Sequence, residues 1–178
     1  MVHTSASENR EIMREGILFL AQMGVFAGVL FLLFQPFEIF LQEMVACHAR
    51  AVLHVVGTNT IEQNSIQFWA GGKLVEISPL CAGLIEVILL ASAIAATRTV
   101  SMEKKIKGIL AGIVLLYAFN IFRIVITVQQ LVHASFSFAE FTHDVFFRLM
   151  LIMGFALVYA GWLNSEKIMN KFRVKGLI

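Results

Sequence analysis

Four long apolar runs, separated by polar stretches, dominate the pattern of hydrophobic and polar positions along the chain. A helix needs about 20 apolar residues to cross a bilayer, and three of the runs come close to that length. The remaining run is shorter, but it reaches a comparable length if its helix begins at Pro79. The pattern therefore predicts four transmembrane helices, at residues 16–34, 79–97, 108–132 and 145–163.

Residues 38–56 form a fifth apolar stretch, but charged and imidazole side chains interrupt it. Such a mixture is typical of an amphipathic helix that lies along a surface. We therefore expect an outer amphipathic helix or a re-entrant element here, and not a fifth span. The interrupting residues are Glu43, His48, Arg50 and His54.

Residues 64–77 have the pattern of two short β-strands. β-formers such as Trp69 and Val75 flank Gly71-Gly72, and a Gly-Gly pair is a signal for a two-residue hairpin turn. An isolated hairpin is only marginally stable in water. We therefore predict a short extracytoplasmic β-hairpin that rests on the outer ends of the helices.

The composition indicates an integral membrane protein. The 178 residues are 58% hydrophobic and 15% charged, with a mean hydropathy of +0.80, whereas a soluble domain is about half apolar and about a quarter charged. The length corresponds to about one domain, so residues 1–178 are expected to form a single all-α polytopic membrane domain with a small hairpin. No cofactor motif is visible, and we expect neither a cofactor nor a nucleic-acid partner.

The placement of positive charge predicts the topology. Ten of the 14 Lys and Arg residues lie in three stretches, at residues 10–14, 98–107 and 167–175. Cytoplasmic loops are enriched in Lys and Arg, so all three stretches are expected in the cytoplasm. Four spans satisfy this rule with both termini cytoplasmic, and residues 57–80 are then extracytoplasmic.

Cys81 occupies a position that favours a reactive thiolate. Ser78 is a good helix N-cap and Pro79 a good first helical residue, which places Cys81 in the first turn of the second span. The N–H groups of a first turn lack intrahelical partners, and the positive end of the helix dipole favours a thiolate there. Cys81 is therefore the predicted nucleophile of an intramembrane cysteine enzyme.

A second unusual position is Arg123, inside the third span. A charged side chain at the centre of a helix costs about 2.5–3.5 kcal/mol on insertion scales, so it usually pairs, faces a cavity or carries function. Asn120 lies three residues earlier on the same helix face. Two interpretations stay open: Arg123 stabilises an oxyanion or carboxylate near the outer leaflet, or it forms a structural ion pair with Glu86.

His143 precedes the fourth span and lies at the same predicted membrane level as Cys81. Histidine is the usual partner of an active thiol because its pKa, about 6.5, is close to neutrality. His143 is therefore the candidate general acid/base, with an exposed loop histidine as the alternative interpretation. His48, His54 and His133 compete for this role. Convergent ligands are too few for a zinc site, and no metal is expected.

Two further residues keep alternative roles. Arg148, five residues after His143, either extends to the membrane interface or supplies a second cation to the site. Cys47 is expected to be a buried structural thiol. A disulfide between Cys47 and Cys81 is the alternative, although it would block the predicted nucleophile.

The order of three motifs resembles that of the exosortase/archaeosortase family, and the agreement extends over about residues 16–163. The short length and the Gly-Gly hairpin before the cysteine are similar to compact members of that family. The motifs are Cys81-Ala82-Gly83-Leu84, Asn120-x-x-Arg123 in an apolar helix, and His143 before the last span.

The resemblance implies an activity that composition does not. Members of the family are polytopic membrane transpeptidases or proteases, and they act on secreted proteins with a C-terminal tripartite signal: a short motif, a transmembrane helix and a basic tail. The family's cysteine and arginine correspond to Cys81 and Arg123, and its third position corresponds best to His143, with Arg148 as the alternative. The implied partners are secreted protein substrates and, in some members, a membrane lipid amine as acceptor.

Other classes of protein fit part of the pattern. A small membrane transporter or channel subunit could use Glu86 and Arg123 in a polar pathway, but the first span has no charged residue and the two halves show no repeat. A membrane scaffold explains the hydrophobicity but neither Cys81 nor Arg123. A thiol–quinone redox protein needs neighbouring cysteines, whereas 34 positions separate Cys47 from Cys81.

Overall fold

A computed structural model of the chain describes residues 6–133 and 147–174. Within these ranges the protein has five α-helices and one small antiparallel sheet. The helices are α1 (Ala6–Phe34), α2 (Glu38–Val55), α3 (Leu84–Ala96), α4 (Met102–His133) and α5 (Phe147–Val174). The strands are β1 (Thr60–Glu62), β2 (Gln67–Ala70) and β3 (Lys73–Glu76).

Two helical segments of the described chain are long and apolar enough to cross a membrane. They are Asn9–Val55, which contains most of α1 and all of α2, and Met102–His133, which is α4. Little of the described protein covers α1, and its Val25 and Leu32 are 66% and 71% exposed. Lipid tails are a suitable environment for apolar side chains without protein cover. The predicted helical architecture is thereby confirmed, and two segments have the length and hydropathy that a membrane span requires, whereas the number of four spans stays a prediction.

The second predicted span does not begin with an α-helix. Pro79–Cys81 forms a separate 3-10 turn, and α3 begins only at Leu84. Gly83 lies between them with a φ of 79°, and this left-handed conformation interrupts α-helical geometry. The α3 helix has 13 residues, which is about 20 Å of helix against a hydrocarbon core of about 30 Å. The prediction of a continuous α-helix from Pro79 is therefore wrong.

The α2 helix is amphipathic, as the sequence predicts. It follows α1 after a single 3-10 turn, Gln35–Phe37, that contains Pro36. The two helices have different neighbours, because α1 packs on α3, whereas α2 packs on α4 and β1. The buried residues of α2 recur every three or four positions and so form one face. They are Gln42, Val45, Ala46, Ala49 and Leu53.

The predicted hairpin forms, but it belongs to a three-stranded sheet in the order β1-β2-β3. Gly71 and Gly72 join β2 to β3, and their φ angles of 55° and 76° suit a two-residue turn. The prediction of only two strands is wrong, because β1 pairs antiparallel with β2. The additional strand, β1, is connected to α2 by an ion pair between Arg50 and Glu62.

The sheet, α2 and the C-terminal half of α4 share one hydrophobic core. Leu53 of α2, Phe68 of β2 and Val128 of α4 are all at most 2% exposed. Ile77 and Cys81, which follow β3, belong to the same core. A second core joins α3, α4 and α5. The first core therefore positions the segment that carries the cysteine against α4.

Substitution of Gly71 is expected to destabilise the fold more than the same substitution at Gly72. Both glycines have positive φ, so alanine at either position should cost about 1–2 kcal/mol. A Cβ at Gly71 would also lie 2.7 Å from Cγ1 of Val132, whereas a Cβ at Gly72 meets nothing within 4 Å. Gly71→Ala should therefore lower the thermal unfolding temperature in detergent more than Gly72→Ala. Equal shifts would contradict the close approach of this turn to α4.

Candidate active site

The segment Ser78–Cys81 forms a tight turn around the thiol. Ser78 and Pro79 do occupy the N-cap and first positions, but of a 3-10 turn that ends at Cys81. The Cys81 amide donates to the Ser78 carbonyl oxygen at 2.8 Å. The Ser78 hydroxyl, which makes no capping bond to the backbone, donates to Cys81 Sγ at 3.3 Å. A hydroxyl donor therefore stabilises negative charge on this sulfur.

Asn120 of α4 holds the cysteine turn from the other side. Its Nδ2 donates to the Cys81 carbonyl oxygen at 2.8 Å, and its side chain is buried at 2% exposure. Gly83 lies directly against it, because a Cβ on Gly83 would be 3.2 Å from Asn120 Nδ2. Two physical reasons thus favour glycine at position 83 of the cysteine motif: its positive φ and the close approach of Asn120. The first two sequence motifs meet in this contact.

Arg123 lies one turn after Asn120 on α4 and is buried at 4% exposure. Its Nε and Nη2 have no hydrogen-bond partner among the described residues. A buried guanidinium without a partner is energetically expensive, and an oxyanion or carboxylate would supply the missing acceptor. The Arg123 guanidinium can therefore bind a negatively charged or strongly polar group.

The alternative ion pair between Arg123 and Glu86 is not among the salt bridges of the described residues. Glu86 instead lines an apolar cavity of about 530 Å³ between α1, α3 and α4. Of the described residues that line it, Glu86 alone is charged, and Arg123 is not part of the lining. Ala82, Gly83 and Asn120 are part of the lining, so the cavity reaches the residues beside the cysteine turn.

The competing histidines of α2 have other partners. His48 Nδ1 and the Tyr117 hydroxyl are hydrogen-bonded at 2.6 Å, and His54 Nε2 is 3.0 Å from the Thr60 hydroxyl. His133 is exposed at the end of α4. Neither of these hydrogen bonds involves the thiol of Cys81, and they connect α2 to α4 and to β1.

The two cysteines do not form a disulfide. Cys81 is buried, whereas Cys47 is exposed on α2, so the prediction of a buried structural thiol at Cys47 is wrong. The burial pattern of α2 explains this position, since Ala46 and Ala49 occupy the inward face on either side of Cys47. The thiol of Cys81 is thus not blocked by the second cysteine.

The third motif lies outside the described residues, which omit 134–146 and with them His143. Arg148 belongs to the first turn of α5, but its side chain is also outside the described part.

Sequence reasoning missed the contact between the Ser78 hydroxyl and the thiol. The signal was present as a serine three residues before the cysteine, and it was interpreted as a backbone cap.

These features define the class of the protein: a helical membrane protein in which the buried cysteine before α3 is bonded through its carbonyl oxygen to a carboxamide of α4, one helical turn from a buried guanidinium. The family model described as transmembrane exosortase matches residues 10–168. The chain belongs to the transmembrane exosortase family, whose members are generally membrane transpeptidases or proteases. Neither the comparison with curated proteins nor the comparison with solved structures found a match.

Removal of the Asn120 amide is expected to release the cysteine turn. Asn120→Ala leaves the Cys81 carbonyl without its donor, and an unsatisfied buried group costs about 1–3 kcal/mol. Processing of a substrate should fall about tenfold or more, and alkylation of the buried Cys81 thiol should become faster. Gln129→Ala is the matched control. Gln129 also lies on α4, and its side-chain amide donates a similar hydrogen bond to the Thr58 hydroxyl. Equal loss of activity in both variants would reduce Asn120 to a stabilising residue.

Proposed function

We propose that this exosortase is a cysteine transpeptidase or protease that cleaves the C-terminal tripartite sorting signal of secreted surface proteins. One observation carries the proposal: Asn120 holds the buried Cys81 turn, and one helical turn further on lies the buried guanidinium of Arg123, whose Nε and Nη2 have no acceptor among the described residues. A nucleophile beside a preorganised cation is the arrangement that acyl transfer requires. The substrate class comes from membership of the family and from the resemblance of the three motifs.

The proposed first step is attack of the Cys81 thiolate on the carbonyl carbon of the scissile peptide bond. The Ser78 hydroxyl stabilises the thiolate before attack through its bond to Sγ. The carbonyl oxygen becomes an oxyanion in the tetrahedral intermediate. Arg123 donates to it, and one such donor contributes about 3 kcal/mol to transition-state stabilisation.

The second step is collapse of the intermediate to a thioester, with departure of the amine on the C-terminal side of the cleaved bond. His143 accepts the thiol proton and returns it to that leaving amine as general acid/base. Arg148 is the alternative third group, but as a second cation, because a guanidinium does not accept a proton. Water or an amine then attacks the thioester carbonyl and restores the thiol. Water gives hydrolysis, and a lipid amine gives transfer of the new C-terminus to a membrane lipid.

The apolar cavity between α1, α3 and α4 is suited to the transmembrane helix of the substrate. Its lining includes Phe26 and Val29 of α1 and Ile113 of α4, and it opens beside Gly83. Apolar side chains of a substrate helix would fill it at the expense of lipid contacts. The scissile bond would then lie above the cavity, at the level of the cysteine turn.

The proposed topology has four spans, cytoplasmic termini and an extracytoplasmic active site. It is supported by the basic stretch 98–107, which covers the α3–α4 connection and the start of α4, and by the contact of β3 with α4, where Gly71 approaches Val132 near the other end of that helix. A membrane-impermeant maleimide should therefore label Asn59→Cys in intact cells but Ser101→Cys only after permeabilisation, in a background without Cys47 and Cys81. Both positions are exposed. The reverse pattern would invert the topology.

Mass spectrometry of a tripartite-tailed protein co-expressed with the enzyme tests the activity. Wild type should remove the C-terminal helix and basic tail, and the Cys81→Ala variant should not. The residual mass on the new C-terminus distinguishes hydrolysis from lipid transfer. If every tripartite-tailed protein of the source genome stayed intact with wild type, the proposed activity would be wrong.

The transporter or channel interpretation is less well supported. It needs Glu86 and Arg123 in one polar pathway, but Glu86 lines the apolar cavity and Arg123 does not. Arg123 lies within the region packed by α2, the sheet and α4, beside Ile124 of that core. The two charges therefore face separate surroundings within the described residues.

A further inference from the structure

The strand β3 has one side without a partner strand. It is the last strand in the order β1-β2-β3. The Ile77 amide donates to the Ile66 carbonyl oxygen at 3.0 Å, which identifies this pair as hydrogen-bonded. Backbone groups alternate in direction along an antiparallel strand, so those of Lys73 and Val75 also face β2. The N–H and C=O groups of Leu74 and Glu76 point away from the sheet.

No backbone hydrogen bond joins Leu74 or Glu76 to a described residue on this open side. The opposite edge of the sheet differs. There β1 is flanked by α2, and contacts to Arg50 and His54 cover it. An edge with free N–H and C=O groups is a template for a further strand. Only the edge at β3 is therefore available for strand addition within the described chain.

The open edge leads directly to the candidate nucleophile. Ser78 continues the extended backbone, with φ of −72° and ψ of 163°, and its hydroxyl contacts Cys81 Sγ. At about 3.3 Å per residue, the outward-facing groups of Glu76 lie about 7 Å along the strand from Ser78. A backbone paired with Glu76 would thus reach the thiol within about two further residues.

The exposed face of the sheet provides an apolar row across the strands. Ile61, Trp69 and Leu74 are direct cross-strand neighbours and are 71%, 39% and 47% exposed. The other face is buried, with Phe68 fully covered. A strand added beside Leu74 would continue this row with its own side chain. Cross-strand apolar pairs of this type stabilise a sheet.

We propose that the substrate segment that carries the scissile bond binds as a fourth strand on β3, paired with the backbone of Leu74 and Glu76. This binding mode rests on the proposed function. Main-chain hydrogen bonds hold the segment, and its side chain opposite Leu74 provides apolar selectivity. The pairing fixes the register of the chain, so one particular carbonyl is delivered to Cys81. A second copy of this chain on the same edge is the competing occupant.

Proline substitutions at the open edge test the strand pairing. Leu74→Pro and Glu76→Pro each remove an outward N–H without removing a donor to β2. We expect KM for a substrate that wild type cleaves to rise about tenfold, with kcat within about twofold. Leu74→Ala and Glu76→Ala shorten the side chain but keep the N–H, so KM should rise less in each of them than in the corresponding proline variant. Wild-type KM in folded proline variants would overturn the inference.

Disulfide trapping gives a second readout that does not depend on the proline variants folding. Leu74→Cys is introduced into a Cys47→Ala, Cys81→Ala background and mixed, under mild oxidant, with substrates that carry one cysteine at successive positions around the cleavage site. A paired strand presents alternate residues to the same face. We expect cross-links at every second position.

Equal cross-linking at all positions, or at none, would overturn the strand inference. A predominant disulfide between two enzyme copies would also overturn it and would assign the edge to a homodimer. These outcomes are distinguishable from failure of the proposed function. If the proposed function is wrong, wild type does not cleave the substrate. If only the strand inference is wrong, Cys81-dependent cleavage stays intact.

Discussion

Replacement of Cys81 by alanine is expected to reduce processing of a tripartite-tailed substrate to background, a loss of about 10⁴-fold or more. The expectation follows from the position of the thiol, which Ser78 contacts at the sulfur and Asn120 holds at the carbonyl. A methyl group cannot form the thioester, and neighbouring groups cannot replace it. The measurement is the fraction of substrate that retains its C-terminal helix, determined by mass spectrometry.

Cys47→Ala is the matched control, because it removes the other cysteine from an exposed position on α2. It should retain nearly full processing. Protein level and unfolding temperature should be similar in the two variants, so that loss of fold does not explain loss of activity. Continued processing by Cys81→Ala would exclude Cys81 as the nucleophile, and inactivity of Cys47→Ala alone would transfer the role to the other thiol.

Periodicity and motif order predicted the large features of the fold. The long apolar helices, the amphipathic α2 and the Gly-Gly turn all arise from local patterns of side chains, and such patterns are visible in a sequence. The third strand was missed because β1 has only three residues, Thr60–Glu62. Its pairing depends on contacts from Arg50 and His54, which are distant enough in sequence to leave no local signal.

Sequence patterns indicated which residues to consider for the candidate site, but not how those residues are arranged. Asn120 and Arg123 stood out because polar groups are costly in apolar segments, and Cys81 because it lies at the start of a predicted helix. The structure connects Cys81 and Asn120 through one hydrogen bond. The 3-10 turn was not predictable from Ser78-Pro79 alone, since this pair begins either kind of helix. The left-handed conformation of Gly83 separates the turn from α3, and the close approach of Asn120 from another helix leaves no local signal in the sequence.

The surroundings of Arg123 show why the alternatives for that residue could not be separated by spacing. The sequence left open an ion pair between Arg123 and Glu86, because both are charged residues inside predicted spans. Sequence position does not specify which neighbours a side chain has, however: Glu86 lines the apolar cavity, whereas Arg123 is buried outside that lining. Among the described residues, Arg123 Nε and Nη2 have no acceptor, and this favours the functional interpretation over the structural one.

Arg123→Lys is therefore expected to lower kcat/KM about 100-fold even though the charge is retained. Lysine has no planar fork of donors, and its ammonium is a compact, strongly hydrated group. The loss corresponds to about 3 kcal/mol of oxyanion stabilisation. The effect should fall mainly on kcat, because the oxyanion exists only in the transition state and the intermediate. Single-turnover cleavage of the substrate in detergent measures this directly.

Arg98→Lys is the matched control for this prediction. Arg98 is exposed on the α3–α4 connection and bonds the Gln22 side chain at 3.1 Å, at the opposite end of the helices from Cys81. The same substitution there should leave kcat/KM within about twofold of wild type, since exposed contacts of this kind contribute little. A change in KM alone at Arg123 would indicate binding of a substrate carboxylate in place of oxyanion stabilisation. Unchanged kcat and KM would remove Arg123 from the mechanism, and its burial would then have a structural explanation.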